Sequence, residues 1–232
     1  MKICAFSLSD IIGKHNVKDS RLDQVEAITK SKKETYVQVE VVPEESAADC
    51  DGILASKDSR TDLILKDLEF VETRLSRSET DAEKALLNKL KAALEKEEFV
   101  FSQNLSDEEK KMLQVYGLLT NKPISLLAQE ELSDLNAALA RVLKESGYVS
   151  FFTTGEKETR AWLIKSGTSA WEAAGCVHSD IQRGFIRAEV ISFGDFISCG
   201  GEGAAKQAGK MRLESKEYVL QDADLVNFRF NK

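Results

Sequence analysis

Residues 2–16 read KICAFSLSDIIGKHN, and the fold class turns on how this stretch is read. KICAF is a short apolar run that predicts a buried strand. Gly13-Lys14 then raises the phosphate-binding loop G-x-x-x-x-G-K-[ST]. In that loop the glycines let backbone N–H groups wrap the phosphates, Lys neutralises them, and a hydroxyl holds magnesium. Here Ser7 or Leu8 stands at the first glycine and His15 at the hydroxyl position. No helix pattern follows directly, so the anion-attracting helix N-terminus is also missing.

The 232 residues predict two compact domains, or one with an insertion. With 42% hydrophobic and 31% charged residues, the chain can bury a core and keep an ordinary charged surface. The net charge of −7 argues against wrapping duplex DNA, which needs clustered Lys and Arg. No apolar run reaches the length of a membrane span, and the N-terminal run is too short for a signal peptide, so a cytoplasmic protein is expected. Cys4, Cys50, Cys176 and Cys199 form no CxxC pair and read as small buried or half-buried thiols. His15 and His178 lie far apart, and no local metal motif forms.

Moving along the chain, residues 20–28 predict a helix with Leu22, Val25 and Ile28 on one face and Ser20 as cap. TYVQVEVV (35–42) alternates as a strand does, Pro43 ends it, EESAAD reads as a loop, and residues 52–55 form another short strand. Residues 1–55 therefore read β-α-β-β. A helical region follows. Leu65, Leu68, Val71 and Leu75 form one stripe, and Leu86 or Leu87, Leu90 and Leu94 form a second, with the polar tip SRSETDAEK between them. Ser106 to Glu109 is a capping box, and Gly117 stops the helix it opens. Residues 122–128 predict a buried strand. Residues 133–146 predict an amphipathic helix capped by Ser133 and stopped by Gly147. From Tyr148 on, short strands (160–165, 184–191, 210–215, 225–230) surround a helix at 168–175, closed by Gly175, and a helix or loop at 201–209. That pattern predicts a small α+β roll of the β-grasp kind. From 150 to 232, Lys plus Arg balance Asp plus Glu, so the whole −7 lies in residues 1–149.

The stretch SFFTTGEKETRAWLIKSGTSAWEAAGCVHSDIQRGFIRAEVISFGDF, with AAKQAGKMRLESKEYVLQDADLVNFRFN, closely resembles the C-terminal end of the Obg-like ATPases, the YchF family. LLTNKPISLLA, LILKDLEFVETRL and RLDQVEAITKSKK resemble it further upstream. The resemblance implies an α/β remnant of a P-loop GTPase-type domain with an inserted helical coiled-coil hairpin, plus a C-terminal β-grasp (TGS) domain. The implied domains are residues 1–55 with 121–147 as a reduced GTPase-like layer, 56–120 as the helical insertion, and 148–232 as the TGS domain. The resemblance also implies a large deletion near the N-terminus, which leaves Gly13 and Lys14 as a degenerate P-loop relic. Against the family pattern, Pro43 stands at an Asp and Ser46 at a Gly after the third strand. Gln129 and Leu132 stand where the family reads the base with Asn and Glu. Phosphoryl transfer rests on positioning and charge, so joint loss of three contact sets leaves no useful activity expected.

Arg183, Arg187, Lys206, Lys210 and Arg212 make the best basic cluster. It is either a solvated surface or a contact for RNA phosphates or a ribosomal partner, and the resemblance supports the contact. His178-Ser179-Asp180 is too local for triad geometry and reads as a turn. Trp162 and Trp171 read as core or half-buried. Two functions stay open. The first is a non-catalytic YchF-like interaction protein with no cofactor, binding ribosome or RNA, with the hairpin as a possible arm for a protein partner and no membrane or duplex DNA. The alternative is a residual ATP- or GTP-binding protein using Mg, a weak NTPase.

Overall fold

The computed structural model describes residues 1–231; Lys232, the last residue of the expected 148–232 domain, lies outside them. The chain divides into two compact units. Unit 1 is Met1–His15 with Val39–Ser146, and unit 2 is Asn16–Gln38 with the chain from Gly147 on.

In chain order, β1 (Lys2–Phe6) leads through a 3-10 turn at Ser9–Ile11 into β2 (Gly13–Val17). Next come α1 (Ser20–Thr29), β3 (Glu34–Thr35), β4 (Val37–Val42) and β5 (Gly52–Ser56). The helices α2 (Arg60–Arg77), α3 (Asp81–Glu95) and α4 (Asp107–Leu113) precede β6 (Ile124–Leu127), α5 (Gln129–Leu132) and α6 (Leu135–Glu145). The first sheet has the order β2-β4-β1-β5-β6, and β4, β1, β5 and β6 run parallel. Ile3 to Phe6 and Gly52 to Ala55 are buried without a break, as strands covered on both faces require. Gly52 is needed because a Cβ there would strike the Ser146 hydroxyl.

The helix pair α2 and α3 packs Ile64, Val71, Leu86, Leu87, Leu90 and Leu94 into one core, with Leu68 and Leu75 alongside. The expected stripe is one residue out at its start, since Leu65 is 54% exposed and Ile64 faces inward. The cause is buried Asp67, which accepts hydrogen bonds from the Leu119 and Thr120 N–H groups (3.0 and 2.7 Å) and from the Thr120 hydroxyl (2.6 Å). These bonds set the rotation of α2, and Leu63-Ile64-Leu65 alone leaves it ambiguous. The polar stretch between the helices is not simply solvated. Glu83 accepts from the Ser78 hydroxyl, the Tyr116 hydroxyl and Arg74, each at 2.7 Å.

Unit 2 adds β7 (Tyr148–Thr153), β8 (Thr159–Lys165), α7 (Ala170–Val177), α8 (Ser179–Arg183) and β9 (Phe185–Ile191). It ends with α9 (Phe193–Cys199), α10 (Glu202–Gln207), β10 (Arg212–Glu214) and β11 (Leu225–Phe230). The six-stranded order is β10-β9-β11-β7-β8-β3. On one face, Ala170, Ala173 and Ala174 of α7 pack on Phe151, Ile164, Ala188, Val190, Val226 and Phe228. Alternation sends Phe152, Ile191 and Leu225 to the other face, where Phe196 of α9 lines a small cavity with Ile191 and Leu225.

Several expectations change. Residues 35–42 are not one strand. The chain parts at Tyr36, with β3 pairing with β8 and β4 pairing with β1. Residues 16–38 thereby leave the expected 1–55 layer for unit 2. The reason is local to α1 and its C-terminal turn. Leu22 and Val25 are buried, and the hydroxyls of Thr29, Ser31 and buried Thr159 lie 2.8–3.2 Å from one another. Arg21 grips Asp19 and Asp222, each at 2.7 Å. Asp19, not Ser20, caps α1 by accepting from the Arg21 N–H. EESAAD coils into a 3-10 turn. Residues 133–146 divide at Ser133, with Asp134 capping α6. Gly175 lies inside α7, because Gln182 packs where its Cβ would be, within 2.7 Å.

Both tryptophans of the chain, Trp162 and Trp171, belong to unit 2, so their fluorescence reports its unfolding. Thr159→Val would leave the Thr29 and Ser31 hydroxyls short of a partner. A loss of about 1–3 kcal/mol is expected in the denaturant transition read by Trp emission. The helix pair should respond to acid. Hydrogen bonds from Ser78, Tyr116 and Arg74 hold the Glu83 carboxyl at about 2, below its ordinary 4.5. A group depressed in the folded state stabilises fully above its unfolded pKa, and that contribution fades as pH falls toward the folded value. Exchange protection of α2 and α3 amides should therefore decline between these pH values, and Glu83→Gln should flatten the decline.

Candidate functional site

The carboxyl ends of β1, β4, β5 and β6 meet at one edge of the first sheet, the end where open parallel sheets take ligands. Each sequence motif singled out for nucleotide contact arrives there except Gly13-Lys14. After β1, Ser7 takes a left-handed conformation (φ 56°), the 3-10 turn follows, and Gly13 (φ 139°) and Lys14 enter strand β2. Phosphate wrapping needs successive N–H groups converging at a helix start, and here the next element is a strand. The His15 Nε2 lies 2.7 Å from the Ile11 carbonyl, which can only accept, so this nitrogen carries the proton.

Pro43 and Ser46 flank the start of the 3-10 turn Glu44–Asp49. Glu44 pairs with Lys66, whose ammonium sits 5.1 Å over the Phe6 ring. At the base-reading position, Gln129 opens α5, and Glu131 caps it by accepting from the Ala128 N–H at 2.8 Å. Glu131 also pairs with Lys57 at 3.4 Å and Arg141 at 2.7 Å. Lys57, Lys66 and Arg141 near this edge are thus paired with its own carboxylates. Among the described residues, no group of three or more His, Cys, Asp or Glu is placed to hold a metal ion.

The five cations of the basic cluster separate. Arg183 on α8 pairs with Asp180, and Lys210 pairs with Asp195 at 3.2 Å. Arg212 donates to the Tyr218 hydroxyl at 2.9 Å, lies 5.1 Å over that ring and pairs with Glu214 at 3.3 Å. Directly opposed residues of an antiparallel pair point to the same face. Arg212 stands opposite Val190 and shares the face of α7, whereas Arg187 stands opposite Arg229 on the other face with Glu189. Glu189 accepts from Arg229 at 2.8 Å and from Asn227 at 2.9 Å, and these bonds lower its pKa. Lys206 on α10 adds a charge that Glu189 also feels. This face therefore carries Arg187, Arg229 and Lys206 together with Glu189, which pairs with Arg229, and Glu202, whose charge Arg229 feels. Arg229 went unnoticed in the sequence. Its place between inward Phe228 and Phe230 signals an outward side chain, but its neighbour Arg187 is 42 positions away and is brought there only by strand pairing.

His178 caps α8 through Nδ1, which accepts from the Asp180 N–H at 3.1 Å. Trp162 is half-buried and donates to the Thr153 hydroxyl at 2.9 Å, while Trp171 is 45% exposed, more than expected.

The family model YchF-GTPase_C, described as a protein of unknown function (DUF933), matches residues 148–231. Ribosome-binding ATPase YchF of Bacillus subtilis is 35% identical over 235 residues, covering 73% of this chain and 64% of that protein. These similarities support a shortened member of the YchF family. Ribosome-binding ATPase YchF of Haemophilus influenzae is 31% identical over 234 residues, covering 74% of this chain and 64% of its own length. The Escherichia coli O157:H7 protein of that name is 50% identical over 97 residues, 42% of this chain and 27% of its own. The chain thus spans 64% of the length of these first two relatives. Its α/β fold is like that of the Schizosaccharomyces pombe YchF GTPase, at TM-score 0.72 and 19% identity over 93% of this chain and 86% of that one.

Burial pushes the Cys4 thiol up to about 12 and raises Cys50 and Cys176 as well. Cys176 is exposed, whereas Cys4 and Cys50 are buried. A thiol-reactive dye near neutral pH should label Cys176 slowly and leave Cys4 and Cys50 unlabelled until the protein unfolds, as peptide mass mapping would read out.

Proposed function

We propose that this YchF-family protein is a non-catalytic, cytoplasmic interaction module. It engages the ribosome or its RNA through unit 2, read as a TGS-type β-grasp, and its P-loop is degenerate. One observation carries the reading: Gly13 and Lys14 lie in strand β2, not at a helix start. A loop that cannot point N–H groups at phosphate gives up the positioning on which phosphoryl transfer depends. The binding half rests on Arg187, Arg229 and Lys206, and on relatives named ribosome-binding. Ribosomal RNA phosphates suit an outward guanidinium pair. A second reading, a weak NTPase, draws on the same relatives being named ATPases and on the motif positions that gather at one sheet edge.

Titrating ATP and GTP with magnesium into the protein tests the first half. No saturable heat is expected at micromolar nucleotide, and saturation abolished by Lys14→Ala would establish the second reading instead. Sedimentation with ribosomes tests the other half. The wild type should pellet at low salt, and Arg187→Glu with Arg229→Glu should weaken binding and reduce the log–log salt slope by about 2, one unit per lost phosphate contact. Equal pelleting by the double variant would show that this face is merely solvated.

A further inference from the structure

A groove of about 440 Å³ lies on the side of α2 turned away from its core stripe, lined by Phe70, Thr73, Arg74, Arg77, Val115 and Tyr116. Its floor is apolar and wet. Phe70 is 38% exposed and Val115, in the turn after α4, is 81% exposed. The Phe70 and Tyr116 rings lie 5.7 Å apart, tilted by 53°. Adjacent exposed apolar side chains of this size gain by being covered.

The floor is also held in place. Tyr116 donates to Glu83 at 2.7 Å, and Arg74 pairs with Glu83 at 2.7 Å and lies 5.9 Å over the Tyr116 ring. A partner would therefore meet a formed surface, with little ordering left to oppose binding. Both charged residues of the lining are arginines. Arg74 keeps part of its fork outward, and exposed Arg77 follows it by one helical turn. Tyrosine and arginine, both present in this lining, are enriched in binding hot spots.

We propose that this groove docks an acidic protein segment, one bulky apolar side chain seated on Phe70 and Val115 with flanking carboxylates on Arg77 and Arg74. The charge balance favours protein over nucleic acid. Residues 1–149 carry the whole −7, and that field penalises a backbone charged at every nucleotide more than a segment bearing two or three carboxylates. An apolar floor likewise rewards a side chain that buries apolar area, which a phosphate backbone lacks. The proposal concerns unit 1 and stands apart from the ribosome reading of unit 2.

The test uses the full chain with its valine methyls carbon-13 labelled, and four fluorescent probes. These are a twelve-residue Gly/Ser peptide with one Trp flanked by three Asp or Glu, the same peptide with Trp replaced by Ser, a version with Lys for each acid, and a single-stranded RNA twelve-mer. The acidic Trp peptide should shift the Val115 methyl signals. Its affinity should fall about tenfold or more with Arg77→Glu or with Val115→Asp, as for a central contact. Both positions are exposed, so the thermal midpoint of each variant should match the wild type. The Ser and Lys peptides should bind at least about tenfold more weakly. Failure of the acidic Trp peptide to move Val115 at millimolar concentration would overturn the proposal. So would equal binding by the Lys peptide, or stronger perturbation of Val115 by the RNA.

Discussion

The contact among the hydroxyls of Thr29, Ser31 and Thr159 is the constraint on which the rest of the structure depends. It fastens the end of α1 to the start of β8, and β3 then pairs alongside. The chain must therefore leave unit 1 just after His15 and return at Val39. The nine residues between β1 and that exit, 7–15, are too few for a phosphate loop and a following helix. The stretch holding Gly13 and Lys14 becomes strand β2 at the edge of the sheet.

Two buried carboxylates organise unit 1 in a similar way. Burial raises the Asp67 pKa, against which three hydrogen bonds from Leu119 and Thr120 act. Burying such a group is costly unless its oxygens are satisfied, so only one rotation of α2 suits it. Glu83 does the same for the far end of the helix pair, where it fixes Ser78, Arg74 and Tyr116 at once. A groove with a rigid aromatic floor is a by-product of that network, because Glu83 holds Arg74 and the Tyr116 hydroxyl while the Tyr116 ring packs against the apolar core.

In unit 2, strand pairing decides which charges act together. Arg187 and Arg229 become neighbours through the β9–β11 register, and Arg212 is turned to the opposite face by the β9–β10 register. A shift of one residue in either register would exchange these assignments, since side chains alternate with period two. Like charges opposed across a pair cost stability, and Glu189, two residues along β9 on the same face, offsets it by accepting from Arg229.

By itself, the sequence determined the element types wherever a period was clean: KICAF as a buried strand, the leucines of α3, the Ser106–Glu109 capping box, and the alternation of LVNFRF. The resemblance to the YchF family was likewise legible, because it runs through long stretches of residue types. Local signals of this kind need only neighbours within a turn or a strand. Tertiary structure alone decided the rest. TYVQVEVV alternates without interruption, yet it parts at Tyr36 because two different sheets compete for its ends. Leu63, Ile64 and Leu65 are equally apolar, and the buried Asp67 chose among them. The basic cluster looked continuous along the chain and was divided by the two faces of a sheet. In each case the deciding partner lies tens of residues away, at a distance that periodicity does not reach.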